Sequence, residues 1–225
     1  WDDVYLTLSH NEKLINAHYF ADDKGNCTIF AEVNYSLRPT YAPGAVIAKE
    51  ATPFDDDKLV FYLEEEPNSG KYLTKEVMLD AQKSFVNFHL DNPKLWWPRG
   101  YGDHPLYNFK VELWRGGKAI STKSGRVGFR KVELHENQIG DFTLSHTITI
   151  NGREIYVKGS NWVPIECFTG VVEDKKYKRL IDLAVNAGFN MLRIWGGGIY
   201  EKDVFYNSFY HGKPVFIQYH EYWQI

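Results

Sequence analysis

Cysteine is scarce in this chain. The two present among 225 residues, Cys27 and Cys167, lie far apart and match no metal-ligand or redox spacing, so they read as two free thiols. A dominant charge sign is also lacking. Lys and Arg total 26 against 29 Asp and Glu, a net charge of −3, which gives no broad attraction to nucleic acid or to anionic lipid. No apolar run reaches about 18 residues, so no stretch reads as a membrane-spanning helix. Internal repeats and low-complexity segments are missing as well. No secretory leader opens the chain; it begins on WDDVYL, which reads as the inside of a strand, so its natural start is expected elsewhere.

Aromatic residues are plentiful: 7 Trp, 15 Tyr and 14 Phe. Sandwich cores favour them, and so do sugar-binding clefts. Up to about Leu134 the pattern is β. CTIFAEVNY alternates, with Cys27, Ile29, Ala31, Val33 and Tyr35 on one face, and YNFKVEL from Tyr107 alternates as cleanly. AVIAKEA, KLVFYLE, SFVNFHL, KAISTKS and RKVELHE are further strand candidates. Turn signals separate them, as in DDKGN, YAPG, EPNSG, DNP and RGG. Many short strands at this spacing predict an antiparallel sandwich. Its aromatics fall inward with Leu, Ile and Val, so no exposed aromatic stripe is expected on a strand face.

After Leu134 the pattern changes. FTLSHTITINGREIYVKGSNW predicts a hairpin turning at Asn151-Gly152. In DKKYKRLIDLAVNAGF, residues Tyr177, Leu180, Ile181, Ala184 and Ala187 fall at helical spacing, and Gly188 is a fitting stop. The strand NMLRIW follows, then three glycines, a helix near EKDVFYNSFYH and an apolar strand, PVFIQY. That rhythm predicts a parallel α/β sheet. Three such strands leave open edges and little covered area, so a longer polypeptide or a partner chain is expected to complete them.

Five stretches carry a family resemblance that covers nearly the whole chain. NPKLWWPRGYGDHPLYNFKVEL (Asn92 to Leu113) and GFRKVEL (Gly128 to Leu134) resemble the immunoglobulin-like domain that precedes the catalytic barrel in glycoside hydrolase family 2. INGREIYVKGSNWVP (Ile150 to Pro164) resembles that family's first barrel strand and NMLRIWGGGIYE its second. SNW-x-P with R-x-W-G-G-G points to the β-mannosidase branch, and WDDVYL resembles the last strand of the N-terminal jelly-roll domain. The implied layout is residues 1–9 as the end of a jelly roll, 10–134 as an immunoglobulin-like β-sandwich, and 135–225 as the first three βα units of an incomplete (β/α)8 TIM barrel.

In such a barrel the chemistry lies at the C-terminal ends of the strands. The resemblance therefore implies substrate-binding roles for Asn161, Trp162, Arg193, Trp195 and Gln218. A tryptophan can stack on a sugar ring, and an arginine can hold a hydroxyl or orient a carboxylate. Alternation sets Arg193 and Trp195 on one face with Ile194 opposite, and Gly196 to Gly198 let backbone approach closely. The plainer alternative is that Arg193 and Trp195 pack the barrel mouth and Asn161 fixes a loop. Trp96 and Trp97 read as core or interface residues.

The third strand departs from the family. It keeps Gln218 but has Tyr219 and His220 where Asp and Phe are expected. Glycoside hydrolysis typically takes two carboxyl groups. The family's two catalytic glutamates lie on the fourth and seventh barrel strands, beyond this chain, and Glu154, Glu166, Glu173, Glu201 and Glu221 match neither motif. The chain alone is thus expected to be inactive. Neither a metal nor an organic cofactor is implied, and the partner is an oligosaccharide. The parent activity implied is a retaining exo-β-mannosidase. Other family specificities (β-glucosaminidase, β-galactosidase, β-glucuronidase) and a non-catalytic carbohydrate-binding sandwich stay open. So does the compartment: few cysteines fit cytosol or periplasm, whereas the acceptor triplets at Asn26 and Asn34 fit a lysosome or secretion.

Overall fold

The structure, a computed structural model, describes residues 13–34, 38–42, 45–49, 57–80, 82–139, 143–168, 171–194, 201–210 and 216–218. The jelly-roll strand expected over residues 1–9 lies outside them. Two compact units divide the chain: Leu6–Lys94 with Pro105–Phe129, and Leu95–His104 with Arg130–Ile225.

The first unit is all β. Its strands are β1 (Lys13–Ala21), β2 (Asn26–Asn34), β3 (Arg38–Ala42), β4 (Ala45–Lys49), β5 (Lys58–Glu64), β6 (Tyr72–Met78), β7 (Lys83–His89), β8 (Tyr107–Arg115) and β9 (Lys118–Val127). They pair antiparallel as a three-stranded sheet β1-β2-β7, a four-stranded sheet β6-β5-β8-β9 and a β3-β4 hairpin. Burial follows the two-residue period. Cys27, Ile29, Ala31 and Val33 of β2 and Tyr107, Phe109, Val111 and Leu113 of β8 are buried, with wetter residues between them. Tyr19 of β1 meets Phe109 of β8 edge-on at 5.8 Å, so the inner faces of the two sheets share one interior. Gly125 stands opposite Phe109 in the ladder; a Cβ there would come within 2.5 Å of that ring, so the ring occupies the space a side chain would need.

Among the described residues of this unit, buried charge is fully met. Arg115 grips Asp57 with Nε and Nη2, each at 2.7 Å, a forked pairing that satisfies both carboxylate oxygens. Glu64, 1% exposed, accepts from the Gly70 N–H and from both the N–H and the side-chain amide of Asn108. Burial by itself would raise the Glu64 pKa. The backbone N–H groups of Asn108, Gly70 and Asn68 and the Asn108 amide outweigh it and hold the carboxyl below its ordinary value. Cys27 is buried, and burial pushes its thiol up to about 12, whereas Cys167 of the second unit is exposed.

One expectation is corrected here. The outer face of β1-β2-β7 does carry exposed aromatic side chains. His18, Phe30 and Phe85 stand in one cross-strand row, and Phe20 (69% exposed) and Phe85 (59%) face solvent. The cause is the strand period: His18, Phe20 and Phe30 occupy even positions, opposite the inward Tyr19 and Ile29. His18 and Phe30 stack at 4.8 Å with planes 7° apart, so each spends one ring face on the other.

The second unit opens with antiparallel strands β10 (Val132–Ile139), β11 (Thr143–Ile150) and β12 (Arg153–Ile155). The turn between β11 and β12 has Asn151 at φ 51° and Gly152 at φ 75°, the left-handed pair that a two-residue hairpin requires. Arg130 lies 4.7 Å over the Trp96 ring, and the Asn151 amide donates to the Trp96 carbonyl, tying Leu95–His104 to this unit. Then come β13 (Gly159–Trp162), α1 (Asp174–Asn186), β14 (Met191–Ile194), α2 (Asp203–Tyr210) and β15 (Phe216–Gln218). The three strands form a parallel sheet in the order β13-β14-β15. Helix α1 buries Tyr177, Ile181 and Val185, and the chain leaves it through Gly188 at φ 81°. The fold is thus mostly antiparallel sheet followed by a short β-α-β-α-β run. Among the described residues no helix is long and apolar enough to cross a membrane.

Glu64 sets an acid limit on stability. Its folded-state pKa is depressed, so its contribution is fully present above the ordinary glutamate value of about 4.3 and is lost as pH falls through the lower folded value. Urea midpoints measured from pH 6 downward should therefore fall for the unsubstituted chain, and Glu64→Gln should start lower and give a flatter acid limb.

Candidate functional site

The two faces of the parallel sheet differ. Trp162, Leu192 and Ile194 are buried in one cluster with Tyr177, Ile181 and Val185 of α1 and Phe205 of α2. Gly159, Asn161, Met191 and Arg193 alternate with these residues and belong to the other face. The register aligns Asn161 with Arg193 and Arg193 with Gln218, one row across three strands near their C-terminal ends. Within the row Arg193 Nη1 donates to Asn161 Oδ1 at 3.2 Å, and Asn161 is exposed. An amide and a guanidinium side by side offer donors and an acceptor to a hydroxylated ligand. Gln218 holds the third position by its backbone pairing. Trp195, Gly196 to Gly198, Tyr219, His220 and Glu221 lie outside the described residues.

Trp162 is placed otherwise than expected. Consecutive strand residues point to opposite faces, so the face that exposes Asn161 sends Trp162 inward. Trp162 is 9% exposed, lies 4.8 Å from the Phe205 ring and donates its indole N–H to Glu201 Oε1 at 2.8 Å. It is a core residue under the rim.

Two further residues hold the two ends of the β13-β14 ladder, and neither stood out in the sequence. Asn190, 4% exposed, bridges the segment before β13 to the start of β14. Its Oδ1 accepts from Lys158 N–H at 2.8 Å and its Nδ2 donates to the Tyr156 carbonyl at 2.9 Å. The Asn190 and Met191 N–H groups both donate to the Lys158 carbonyl. At that junction Gly159 lies so close that a Cβ would come within 2.0 Å of the Met191 carbonyl oxygen. Glu201 is also buried, and Tyr177 O–H donates to its Oε2 at 2.6 Å. The signal for Glu201 was indirect: a tyrosine and a tryptophan on buried faces each need an acceptor. By contrast Glu154, Glu166 and Glu173 are exposed, and Glu166 pairs with Lys176.

A groove of about 790 Å³ lies elsewhere, lined by Tyr101, Leu134, His146, Arg153, Tyr156 and Met191 among others. Met191 is the first residue of β14, so the groove is at the N-terminal end of the parallel strands, away from Asn161 and Arg193. Among the described residues no three His, Cys, Asp or Glu side chains are grouped to hold a metal.

Residues 47–130 match the family model described as Glycosyl hydrolases family 2. A β-mannosidase of Mus musculus is 43% identical over 112 residues, covering 49% of this chain and 13% of that protein. Beta-mannosidase B of Thermothelomyces thermophilus is 34% identical over 136 residues, covering 60% of this chain and 16% of that protein. In structure the chain is similar to the β-D-mannosidase of Dictyoglomus thermophilum, with a TM-score of 0.72 and 25% identity, covering 93% of this chain and 24% of the other. It also shares a fold with an exo-chitosanase of Amycolatopsis orientalis, with a TM-score of 0.67 and 20% identity, covering 94% and 23%. The likeness is to the family 2 glycosyl hydrolases. Within them it is to the β-mannosidase branch. The chain spans a quarter or less of the length of these relatives.

Asn190 tests how the N-terminal end of the β13-β14 ladder is held. Asn190→Ala leaves a backbone N–H and a carbonyl without their partner, which should lower the unfolding free energy by about 2–3 kcal/mol. Amide exchange should show the Lys158 N–H losing protection first.

Proposed function

We propose that this chain is a segment of a retaining, exo-acting β-mannosidase that removes terminal β-linked mannose from oligosaccharides. In this reading residues 1–9 end a jelly roll, 10–134 form an immunoglobulin-like domain, and 135–225 begin a (β/α)8 barrel. The observation that carries it is the row Asn161–Arg193–Gln218, near the C-terminal ends of parallel strands on the face that neither α1 nor α2 covers. A barrel builds its substrate pocket from that end.

Asn161 and Arg193 act as hydroxyl-binding groups. The Arg193 N–H already given to Asn161 Oδ1 fixes the amide, leaving its Nδ2 and the other guanidinium N–H groups for the sugar. Trp195 and Gln218 complete the binding set. The chemistry itself needs a nucleophilic carboxylate and an acid/base carboxyl about 5–5.5 Å apart. Both are glutamates of later barrel strands outside this chain, and no metal or organic cofactor takes part. Later strands, or a partner chain, cover the open face of the β13-β14-β15 sheet.

The enzyme that carries this chain should hydrolyse p-nitrophenyl β-mannoside with retention at the anomeric carbon, and the 225-residue chain alone should not. Asn161→Ala and Arg193→Ala should each lower kcat/KM roughly 10- to 100-fold, about 1.4–2.7 kcal/mol of transition-state binding. A preference for β-glucosaminide, β-galactoside or β-glucuronide would replace the mannosidase reading with a sibling specificity. A chain that binds glycans without any hydrolase context would favour the sandwich as a binding module, with the His18–Phe30–Phe85 row as its surface.

A further inference from the structure

We infer that Glu201 is a positioning residue for the substrate-binding row, acting through Trp162; this rests on the reading above. Glu201 lies past the connection that leaves β14 at Ile194 and two residues before α2. Its carboxylate is buried and both oxygens are occupied: Oε1 takes the Trp162 indole N–H at 2.8 Å and Oε2 takes the Tyr177 O–H at 2.6 Å. Its own N–H donates to the Tyr206 hydroxyl at 3.2 Å. One side chain therefore joins the last residue of β13, the first turns of α1 and the approach to α2.

These three elements meet beneath the end of the sheet where Asn161 and Arg193 lie. Trp162 and Asn161 are adjacent residues of a four-residue strand, so whatever fixes the rotation of one about the strand axis fixes the other. Phe205 packs on the Trp162 ring but supplies no direction along the ring plane; the carboxylate does, because it accepts from one indole atom only. Ionised acceptors give the stronger hydrogen bonds, and a buried one with two donors is held in a single geometry. With the carboxylate removed, the indole and the phenol each lose their acceptor in a dry setting. The β13 end is then free to turn, and Asn161 leaves its 3.2 Å contact with Arg193.

The chemistry of substitution discriminates. In Glu201→Gln the amide oxygen still accepts from the indole, and its N–H₂ can donate to a Tyr177 hydroxyl that rotates to accept. This variant should bind and turn over nearly as the unsubstituted enzyme does. Glu201→Ala removes both acceptors. Trp162→Phe removes the N–H together with part of the indole ring and leaves an aromatic ring to pack on Phe205.

The test is steady-state kinetics on p-nitrophenyl β-mannoside in the full-length enzyme that carries this chain, with melting temperatures measured in parallel. Glu201→Ala should raise KM about 10-fold with a smaller change in kcat, Trp162→Phe about 3- to 5-fold, and Glu201→Gln less than 2-fold. Glu201→Ala combined with Asn161→Ala should be little worse than Asn161→Ala alone, since both remove the same placement. Lower melting temperatures with unchanged KM, or losses that add in the double variant, would overturn the inference. If Glu201→Ala does not fold, Trp162→Phe decides by the same criteria. Should the unsubstituted enzyme prefer another β-glycoside, the mannosidase reading fails while the variants are judged on that substrate. An enzyme active on no β-glycoside overturns both.

Discussion

The parallel ladder between β13 and β14 is four residue pairs long, from Gly159↔Met191 to Trp162↔Ile194. So short a ladder contributes few backbone bonds, and its register is fixed by side chains at its two ends. At the N-terminal end Asn190 clamps the incoming segment by its amide, and Gly159 admits the Met191 carbonyl where any Cβ would collide. At the other end Glu201 draws Trp162 towards the helices. Between these clamps the alternation of the strand delivers Asn161 and Arg193 to the opposite face. The candidate site is thus a consequence of buried polar residues on the side away from it, a division common where a binding constellation has to be held rigidly.

The sandwich unit uses the same device with other residues. Asp57 and Glu64 are buried at either end of β5, and each is met in full, by a forked arginine in one case and by amide donors in the other. Such groups contribute less to net stability than to uniqueness, since a slipped register would strand them without partners. β5 lies between β6 and β8, so a slip there would propagate to both neighbours.

Much of the fold was legible because burial and period coincide. The alternation of Cys27, Ile29, Ala31 and Val33, the spacing of Tyr177 and Ile181, and the Asn151-Gly152 turn each appear in the structure where the pattern puts them. β6 was not legible: it is an edge strand whose residues are mostly wet, so YLTKEVM shows no apolar stripe. The aromatic row on β1-β2-β7 escaped because an aromatic residue in a strand was read as inward, whereas parity decides. At the site, the family resemblance pointed to Arg193 and Asn161, which the strand register sets side by side. It misassigned Trp162, where a large ring at a rim suggested a ligand and the period sent it to the core. Asn190 could not be read in advance and Glu201 only through the acceptor that Trp162 and Tyr177 need, because their partners are backbone atoms and side chains distant along the chain.

The contrast between the two cysteines has a practical side. Cys27 is sealed inside the sandwich with its proton held until about pH 12, while Cys167 is open to solvent in the segment between β13 and α1. At neutral pH a thiol-reactive dye therefore distinguishes them without mutagenesis. The native chain carries a built-in attachment point for a fluorophore or spin label, close in sequence to the strand that bears Asn161.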